Sequence, residues 1–234
     1  MALAAALAIS CATLIPRQYE YDEEVNLSLD GSATVYVNGS VAALVALRGI
    51  DLDASPTARL DRAAIRRFFT SDVTTVTRVS SSRRHNRRFI HIRLAVSDVR
   101  RLPASAPFAW STYAFVNQGG AYTYRQAIGA AAGRTVGDAG WRGNEMVAFR
   151  MHLPARILYH DAPSKEVERG NILVWEQTLA DRLKGVPVKI EARMEAESIL
   201  YSTVTLFATM AVVVIVLFTG IIWMVVRKGR AATP

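Results

Sequence analysis

The sequence predicts an α+β domain, built mostly of antiparallel sheet with one or two packed helices, followed by one C-terminal transmembrane helix. Three observations support this prediction. Short segments of alternating apolar and polar residues follow one another between residues 24 and 194, as expected for strands joined in hairpins. Residues 60–69 place apolar side chains at helical spacing. Residues 204–226 carry no charge, a pattern that a soluble helix of this length does not show on every face.

The first elements of the domain are a hairpin and two helices. Apolar residues alternate over 25–29 and again over 33–37, on either side of Asp30-Gly31, whose glycine supplies the positive φ of a tight turn. The segment 40–47 (SVAALVAL) is compatible with a short helix or a buried strand, and we favour the helix. Ser55-Pro56 predicts the start of the amphipathic helix, because serine caps a helix and proline fits its first turn.

The remainder of the domain is predicted as further strands with short helical turns. A glycine-rich stretch, residues 129–143, interrupts them and is predicted to be a long flexible loop. Helical turns are predicted at 97–102 and 179–183. The predicted strands are 73–79, 89–96, 110–116, 121–127, 146–153, 157–160, 172–175 and 186–194.

The uncharged segment 204–226 predicts a single membrane span and its direction. About 20 apolar residues suffice to cross a bilayer as a helix. Arg227, Lys228 and Arg230 follow at once, and flanking cations are retained on the cytoplasmic side. Tyr201 and Trp223 are placed for the outer and inner headgroup belts. We therefore expect a linker at 195–203, a basic cytoplasmic tail at 227–234 and an N-terminal domain outside the cytoplasm, in a bacterial inner membrane.

The N-terminal segment 1–11 is typical of a lipoprotein signal. The apolar run MALAAALAIS precedes Cys11, and small residues before that cysteine would give a peptidase access to the backbone. The predicted modification is acylation of Cys11, and the alternative is an ordinary cleaved signal with an incidental cysteine. Residues 12–23 are then a tether, so that both ends of the domain are pinned to one membrane. A single cysteine also means that the domain has no disulfide.

The chain carries no motif of a known catalytic centre. Its four histidines lack metal-ligand spacing, although His152 and His160 could approach each other, and isolated histidines on strands are more often surface or core residues. There is no nucleophile elbow or phosphate-binding loop. The acidic group Asp22-Glu23-Glu24 falls in the tether, where no pocket would shift its pKa values. We expect no cofactor, no bound metal and no enzymatic activity.

The densest charged feature lies at the tip of the second predicted hairpin, where Arg83, Arg84, Arg87 and Arg88 occur within six residues. Guanidinium groups bind phosphate through two parallel hydrogen bonds. The tip could therefore dock on phospholipid headgroups, a phosphorylated glycan or an acidic partner. The alternative is a solvated turn kept soluble by its charge. Nucleic acid is not expected as a partner outside the cytoplasm.

Two parts of the sequence together resemble the LppM-like domain of bacterial envelope lipoproteins. The first is the hairpin at Leu29-Asp30-Gly31-Ser32-Ala33 that follows Cys11. The second is the segment 172–192 (ILVWEQTLADRLKGVPVKIEA), followed by one span and a basic stop. The resemblance covers about a third of the chain and implies an α+β envelope domain without enzymatic activity that binds a lipid or glycolipid.

The function predicted from these features is binding. The candidate ligands are an envelope lipid, a glycolipid or a neighbouring membrane protein. A second hypothesis is a structural subunit of a membrane complex, with the span packed on other helices through small residues such as Ala208, Ala211 and Gly220. A third is an envelope enzyme without a recognisable motif, which convergent polar groups in a pocket would support.

Overall fold

Two mostly antiparallel sheets share one core in this α+β domain. The computed structural model describes residues 19–55 and 57–231, without the side chains of 200, 202, 225–226 and 228–231. Ten strands and four α-helices are present in this part of the chain. The strands are β1 (Tyr19–Leu27), β2 (Ala33–Ser40), β3 (Thr74–Arg84), β4 (Arg87–Val96), β5 (Ser111–Gln118), β6 (Ala121–Ile128), β7 (Met146–His152), β8 (Ala155–His160), β9 (Ile172–Thr178) and β10 (Val188–Ser198). The helices are α1 (Val41–Arg48), α2 (Arg62–Phe69), α3 (Leu179–Leu183) and α4 (Ile199–Ala231), and two 3-10 turns lie at Val99–Ala104 and Ala106–Phe108.

The larger sheet, called sheet A, has the strand order β3-β4-β2-β1-β7-β9, and the smaller, called sheet B, has the order β5-β6-β10-β8. Only the β1–β7 pairing is parallel among the described strands. Inward-facing residues of both sheets join one apolar cluster. Tyr21 of sheet A meets Trp110, the residue before β5, edge to face at 6.0 Å between ring centroids. The predicted fold class is confirmed.

The first hairpin forms as the Asp30-Gly31 signal predicts, but β1 begins earlier than expected. Gly31 has a φ of 90°, and Asp30 accepts a hydrogen bond from the backbone N–H of Ser32 at 2.9 Å. Residues 19–23, assigned to the tether from the sequence, are part of β1. The prediction was wrong because four acidic residues in this strand conceal its pattern of alternate burial. Cys11 and the remainder of the predicted tether lie outside the described residues.

The ambiguous segment 40–47 is a helix, and it is buried on all sides. Ser40 caps α1 by accepting from the N–H of Ala43 at 3.1 Å, and Gly49 ends it with a φ of 73°. All eight residues of α1 are buried. A helix with apolar residues on every face must be covered on every face. Such a helix lacks the amphipathic pattern of a surface helix, which is why the sequence is compatible with both a helix and a buried strand.

The glycine-rich stretch, which the sequence predicts to be a long flexible loop, supplies part of that cover through residues 133 and 134. Arg134 donates its backbone N–H to the carbonyl of Val45 at 3.1 Å. A Cβ at Gly133 would stand 1.6 Å from the carbonyl oxygen of Ala46. Only glycine allows the loop backbone to lie this close to the helix.

Helix α2 begins later than the Ser55-Pro56 signal predicts. Asp61 caps it by accepting from the N–H of Ala64 at 2.9 Å. Ile65 and Phe69 are its buried residues, and its arginines face outward. The sequence placed the apolar stripe correctly but assigned the cap to the wrong polar residue.

The last strand continues directly into the long helix α4. Strand β10 extends to Ser198, and the N–H of Ile199 donates to the carbonyl of Pro154 at 3.0 Å. Residues 195–203 are therefore strand and helix, which corrects the predicted linker. Helical structure also extends past 226 into the predicted tail, to Ala231.

One helix among the described residues is long and apolar enough to cross a membrane, and its candidate span is Thr203–Met224. No residue in this span is buried against the rest of the chain. The hydroxyls of Thr203, Thr209 and Thr219 each donate to the carbonyl four residues earlier, at 2.7 Å. Polar side chains satisfied within their own helix are compatible with lipid, where water is not available to them.

Candidate functional site

The arginine-rich hairpin tip and the start of α4 lie at opposite ends of the domain. In sheet A, the start of β4 lies beside the end of β2, whereas the end of β4 lies beside the start of β2. The start of β2 pairs with the end of β1, which lies beside the end of β7. Only two residues link β7 to β8, and the start of β8 pairs with Ser198, at the base of α4. The ten residues of β4 correspond to about 30 Å between the two ends.

The four arginines of the tip flank a two-residue turn. His85 and Asn86 have φ values of 48° and 59°, which match the positive values of a type I′ hairpin turn. Arg83 pairs across the hairpin with Arg88, and Arg84 with Arg87. The structure therefore brings the predicted cluster together, but its members do not share one environment.

Arg87 is committed to the domain interior. It forms ion pairs with Glu20 at 3.3 Å and Glu145 at 3.5 Å, and its side chain is 14% exposed. Burial alone would raise the pKa of Glu145, but the backbone N–H groups of Arg142 and Gly143 donate to this carboxylate and hold its pKa below the usual value. Arg87 therefore anchors the hairpin to the glycine-rich loop.

Arg83 and Arg88 instead line a cleft between the hairpin and α2. This cleft, called the arginine groove, has a volume of about 600 Å³. Arg88 also donates to the carbonyl of Ala58, which ties the hairpin to the segment before α2. The lining residues are Arg59, Leu60, Arg62, Ser81, Ser82, Arg83 and Arg88. The sequence grouped Arg83 and Arg88 with the tip and missed the contribution of Arg59 and Arg62, which lie more than 20 residues earlier in the chain.

The groove lies in the most basic part of the chain. Residues 59–93 contain ten arginines and two aspartates, a net charge of +8 that equals the formal net charge of all 234 residues. Asp72 is paired with Arg101 at 2.6 Å, and Asp61 caps α2. Four of the seven residues that line the groove are arginines and none is acidic, so the groove is cationic.

A second arrangement occupies the solvent-facing side of sheet A, where three strands place Ser82, His91 and Asn38 side by side. Ser82 Oγ is 2.8 Å from His91 Nε2, and His91 Nδ1 is 3.0 Å from Asn38 Oδ1. Asn38 Nδ2 donates to Asp22 at 3.5 Å, and Asp22 forms an ion pair with Arg150. Burial raises the pKa of Asp22, and Arg150 opposes this shift. His91 is therefore not the isolated histidine that the sequence suggests.

Comparison with solved structures gives a weak similarity. No protein-family model and no curated protein matches the sequence. The NMR structure of the folded domain of LppM from Mycobacterium tuberculosis is similar with a TM-score of 0.40 and 12% identity, over 78% of this chain and 94% of that chain. The resemblance noted in the sequence is thus matched only by a weak similarity, and we transfer no residue role from it.

The predicted membrane-interface residues that the structure describes are all on α4. Tyr201 and Trp223 are exposed. The Arg227 guanidinium lies 5.1 Å from the centre of the Trp223 ring, one helical turn away, which is a favourable cation–π geometry. The side chains of Lys228 and Arg230 lie outside the described part.

A buried ion pair in the core escaped the sequence argument. Glu23 and Arg48 form a salt bridge with both side chains 1% exposed, and Tyr21 donates to Glu23 at 2.8 Å. Burial alone would lower the pKa of Arg48, but Tyr21 and Glu23 more than offset it and raise that pKa. The acidic group assigned to the tether therefore contributes a buried carboxylate. Among the described residues no cluster of histidine, cysteine or acidic side chains could hold a metal ion, and His152 is paired with Glu24 at 3.0 Å.

Proposed function

We propose that the chain is a single-pass membrane protein whose extracytoplasmic domain binds a phosphate-bearing glycolipid of the bacterial envelope in the arginine groove. The observation that carries this proposal is the convergence of Arg59, Arg62, Arg83 and Arg88 on one cleft. Guanidinium groups bind phosphate with bidentate geometry, and hydroxyls such as those of Ser81 add further donors. The candidate span Thr203–Met224 supplies the anchor.

The position of the groove favours a glycolipid over a simple phospholipid. The groove lies at the end of sheet A away from α4, about one strand length from the base of the helix. β10 runs into α4 without a linker, so the domain has little freedom to fold back onto its own membrane. A phosphate carried on an extended glycan reaches this height, whereas a phospholipid headgroup in the same leaflet does not. This part of the proposal requires that acylated Cys11 does not hold the start of β1, which lies at the groove end of sheet A, against the membrane.

Binding can be measured on the full chain in nanodiscs of neutral lipid. We expect glucose 1-phosphate, as a soluble glycosyl phosphate, to bind with an affinity that falls as salt rises, because exposed charges are screened. Calorimetry should show at least a tenfold loss of affinity for the Arg62→Ala, Arg83→Ala double variant, which corresponds to about 1.4 kcal/mol.

The matched control is the Arg169→Ala, Arg193→Ala variant, which removes two exposed arginines outside the groove. The proposal requires this variant to bind like the wild type. Equal loss in the control and the double variant would show binding to net charge alone and would refute the groove. Binding of phosphatidylglycerol vesicles but not of the glycosyl phosphate would refute the glycan part of the proposal.

A further inference from the structure

The hydrogen-bond chain on the outer face of sheet A fixes the position of the proton on His91. Asp22 only accepts hydrogen bonds when ionised, so Asn38 directs its amide Nδ2 toward Asp22 and its Oδ1 toward His91. An amide oxygen can only accept, and His91 Nδ1 must therefore carry the proton. This tautomer leaves Nε2 as an acceptor for the Ser82 hydroxyl at 2.8 Å.

The surroundings of His91 favour the neutral imidazole. Burial lowers the pKa of His91, and the positive charge of Arg84 lowers it further. The Arg84 guanidinium lies 4.1 Å from the centre of the Phe89 ring. Phe89 is the cross-strand partner of Ser82, so this guanidinium is held beside the serine.

His91 and Asn38 line a cleft of about 420 Å³, and Ser82 is reached from the arginine groove beside it. Arg78 and Arg93 contribute to its lining, together with Tyr36, Asn38, Ser80 and Ile92. The cleft is thus cationic. Acyl-transfer enzymes activate a serine by a hydrogen bond to a base, and a third group orients that base. Ser82, His91 and Asn38 have this arrangement.

We propose that Ser82, His91 and Asn38 form an acyl-transfer site that cleaves carboxylic esters of anionic substrates. Ser82 is the nucleophile, His91 is the general base, and Asn38 is the positioning residue that holds the tautomer. Arg84 is placed to stabilise the negative charge that develops on the carbonyl oxygen. This activity is distinct from binding in the arginine groove, although Ser82 also lines that groove, because His91 and Asn38 are not among the groove's lining residues.

The reaction requires only the ester and water. Ser82 Oγ forms a bond to the carbonyl carbon while its proton passes to His91 Nε2. The bond from that carbon to the alkoxide breaks, and His91 returns the proton to the departing oxygen. Water, deprotonated by His91, then attacks the acyl-serine, releasing the carboxylic acid and restoring Ser82.

The test is covalent labelling of the full chain in detergent micelles with a fluorophosphonate probe, which reacts with activated serine and releases fluoride. We expect a mass increase of one probe, located by peptide mapping at Ser82. Loss of the general base in His91→Gln should slow labelling by about 100-fold or more. Asn38→Ala should slow it at least tenfold, and the double variant Asp22→Asn, Asn38→Asp, which keeps an acceptor for Nδ1 without placing two carboxylates together, should restore most of the rate.

The control is Ser164→Ala. Ser164 is an exposed serine in the connection between β8 and β9, so its loss removes a surface hydroxyl outside the site and labelling should proceed at the wild-type rate. Circular dichroism of each variant confirms folding. The proposal fails if Ser82→Ala labels as fast as the wild type, if the probe maps to another serine, or if His91→Gln leaves the rate unchanged.

Discussion

The buried salt bridge between Glu23 and Arg48 provides the sharpest test of how the core is held together. Arg48 lies on α1, and Glu23 on β1 faces it inside the domain. The guanidinium also lies 3.9 Å from the centre of the Trp110 ring and donates to the Tyr21 hydroxyl at 2.9 Å. Removal of Arg48 would leave the carboxylate of Glu23 buried with only Tyr21 as a partner.

Arg48→Met keeps most of the side-chain volume and removes the charge. Breaking a buried pair by removing one partner costs about 3–5 kcal/mol, and the remaining hydrogen bond from Tyr21 to Glu23 places the cost near about 3 kcal/mol. A domain of this size loses about 2–4 °C of melting temperature per kcal/mol. We therefore expect Tm to fall by about 6–12 °C.

The assay is thermal unfolding of the full chain in detergent, followed by near-UV circular dichroism. Arg156→Met is the matched control, because Arg156 pairs with Glu195 on the surface with a side chain 71% exposed. This control should leave Tm close to the wild-type value. The double variant Glu23→Gln, Arg48→Met should melt above Arg48→Met, because it leaves no buried charge unpaired. Equal shifts for Arg48→Met and Arg156→Met would refute the reasoning.

Two further outcomes are expected. Gly133→Ala should lower the free energy of unfolding by about 1–3 kcal/mol in chemical denaturation, because its Cβ would lie 1.6 Å from the carbonyl oxygen of Ala46. Gly137→Ala should be close to neutral, because nothing lies within 4 Å of its Cβ. Equal effects of the two substitutions would contradict the contact between the glycine-rich stretch and α1. The pKa of His91 lies below its ordinary value, first through burial and then through Arg84, so its neutral form stabilises the fold above about pH 6.5. This contribution to stability is lost as pH falls through the folded-state pKa of His91. The Tm of His91→Gln should therefore fall less between pH 7.5 and 5.5 than the Tm of the wild type. An identical fall would contradict the lowered pKa of His91.

Local patterns in the sequence identified most of the elements of this fold. The turn at Asp30-Gly31 and the alternation on either side of it are determined by neighbouring residues, and the structure contains that hairpin. The same is true of the span, since Thr203–Met224 falls within two residues of the predicted segment. The start of β1 was missed because Glu20 and Glu23 appear solvent-exposed in sequence, and their burial depends on arginines 25 or more residues away.

The candidate sites depend on strand register, which the sequence does not reveal. Asn38, Ser82 and His91 meet because β2 and β3 both pair with β4 in one particular alignment. A shift of one residue in either pairing would turn a partner to the other face of the sheet. The four arginines of the tip were visible as a cluster, but the ion pairs of Arg87 with Glu20 and Glu145 separate it from Arg88. Composition alone could not separate Arg87, which is paired inside the domain, from Arg83 and Arg88, which line the arginine groove.

In the proposed function, the connection between β10 and α4 sets the position of the arginine groove relative to the membrane. A flexible linker would let the arginine groove reach the headgroups of its own bilayer, and electrostatic attraction to anionic lipid would then favour that position. Here the strand ends at Ser198 and the helix begins at Ile199, with the N–H of Ile199 bonded to Pro154 of the neighbouring strand connection. The groove is therefore held about 30 Å from the base of the helix. In nanodiscs of anionic lipid, insertion of a flexible glycine–serine segment after Ser198 should let the groove bind its own bilayer and so weaken glucose 1-phosphate binding, and unchanged binding in that variant would show that the rigid connection does not set the choice of ligand.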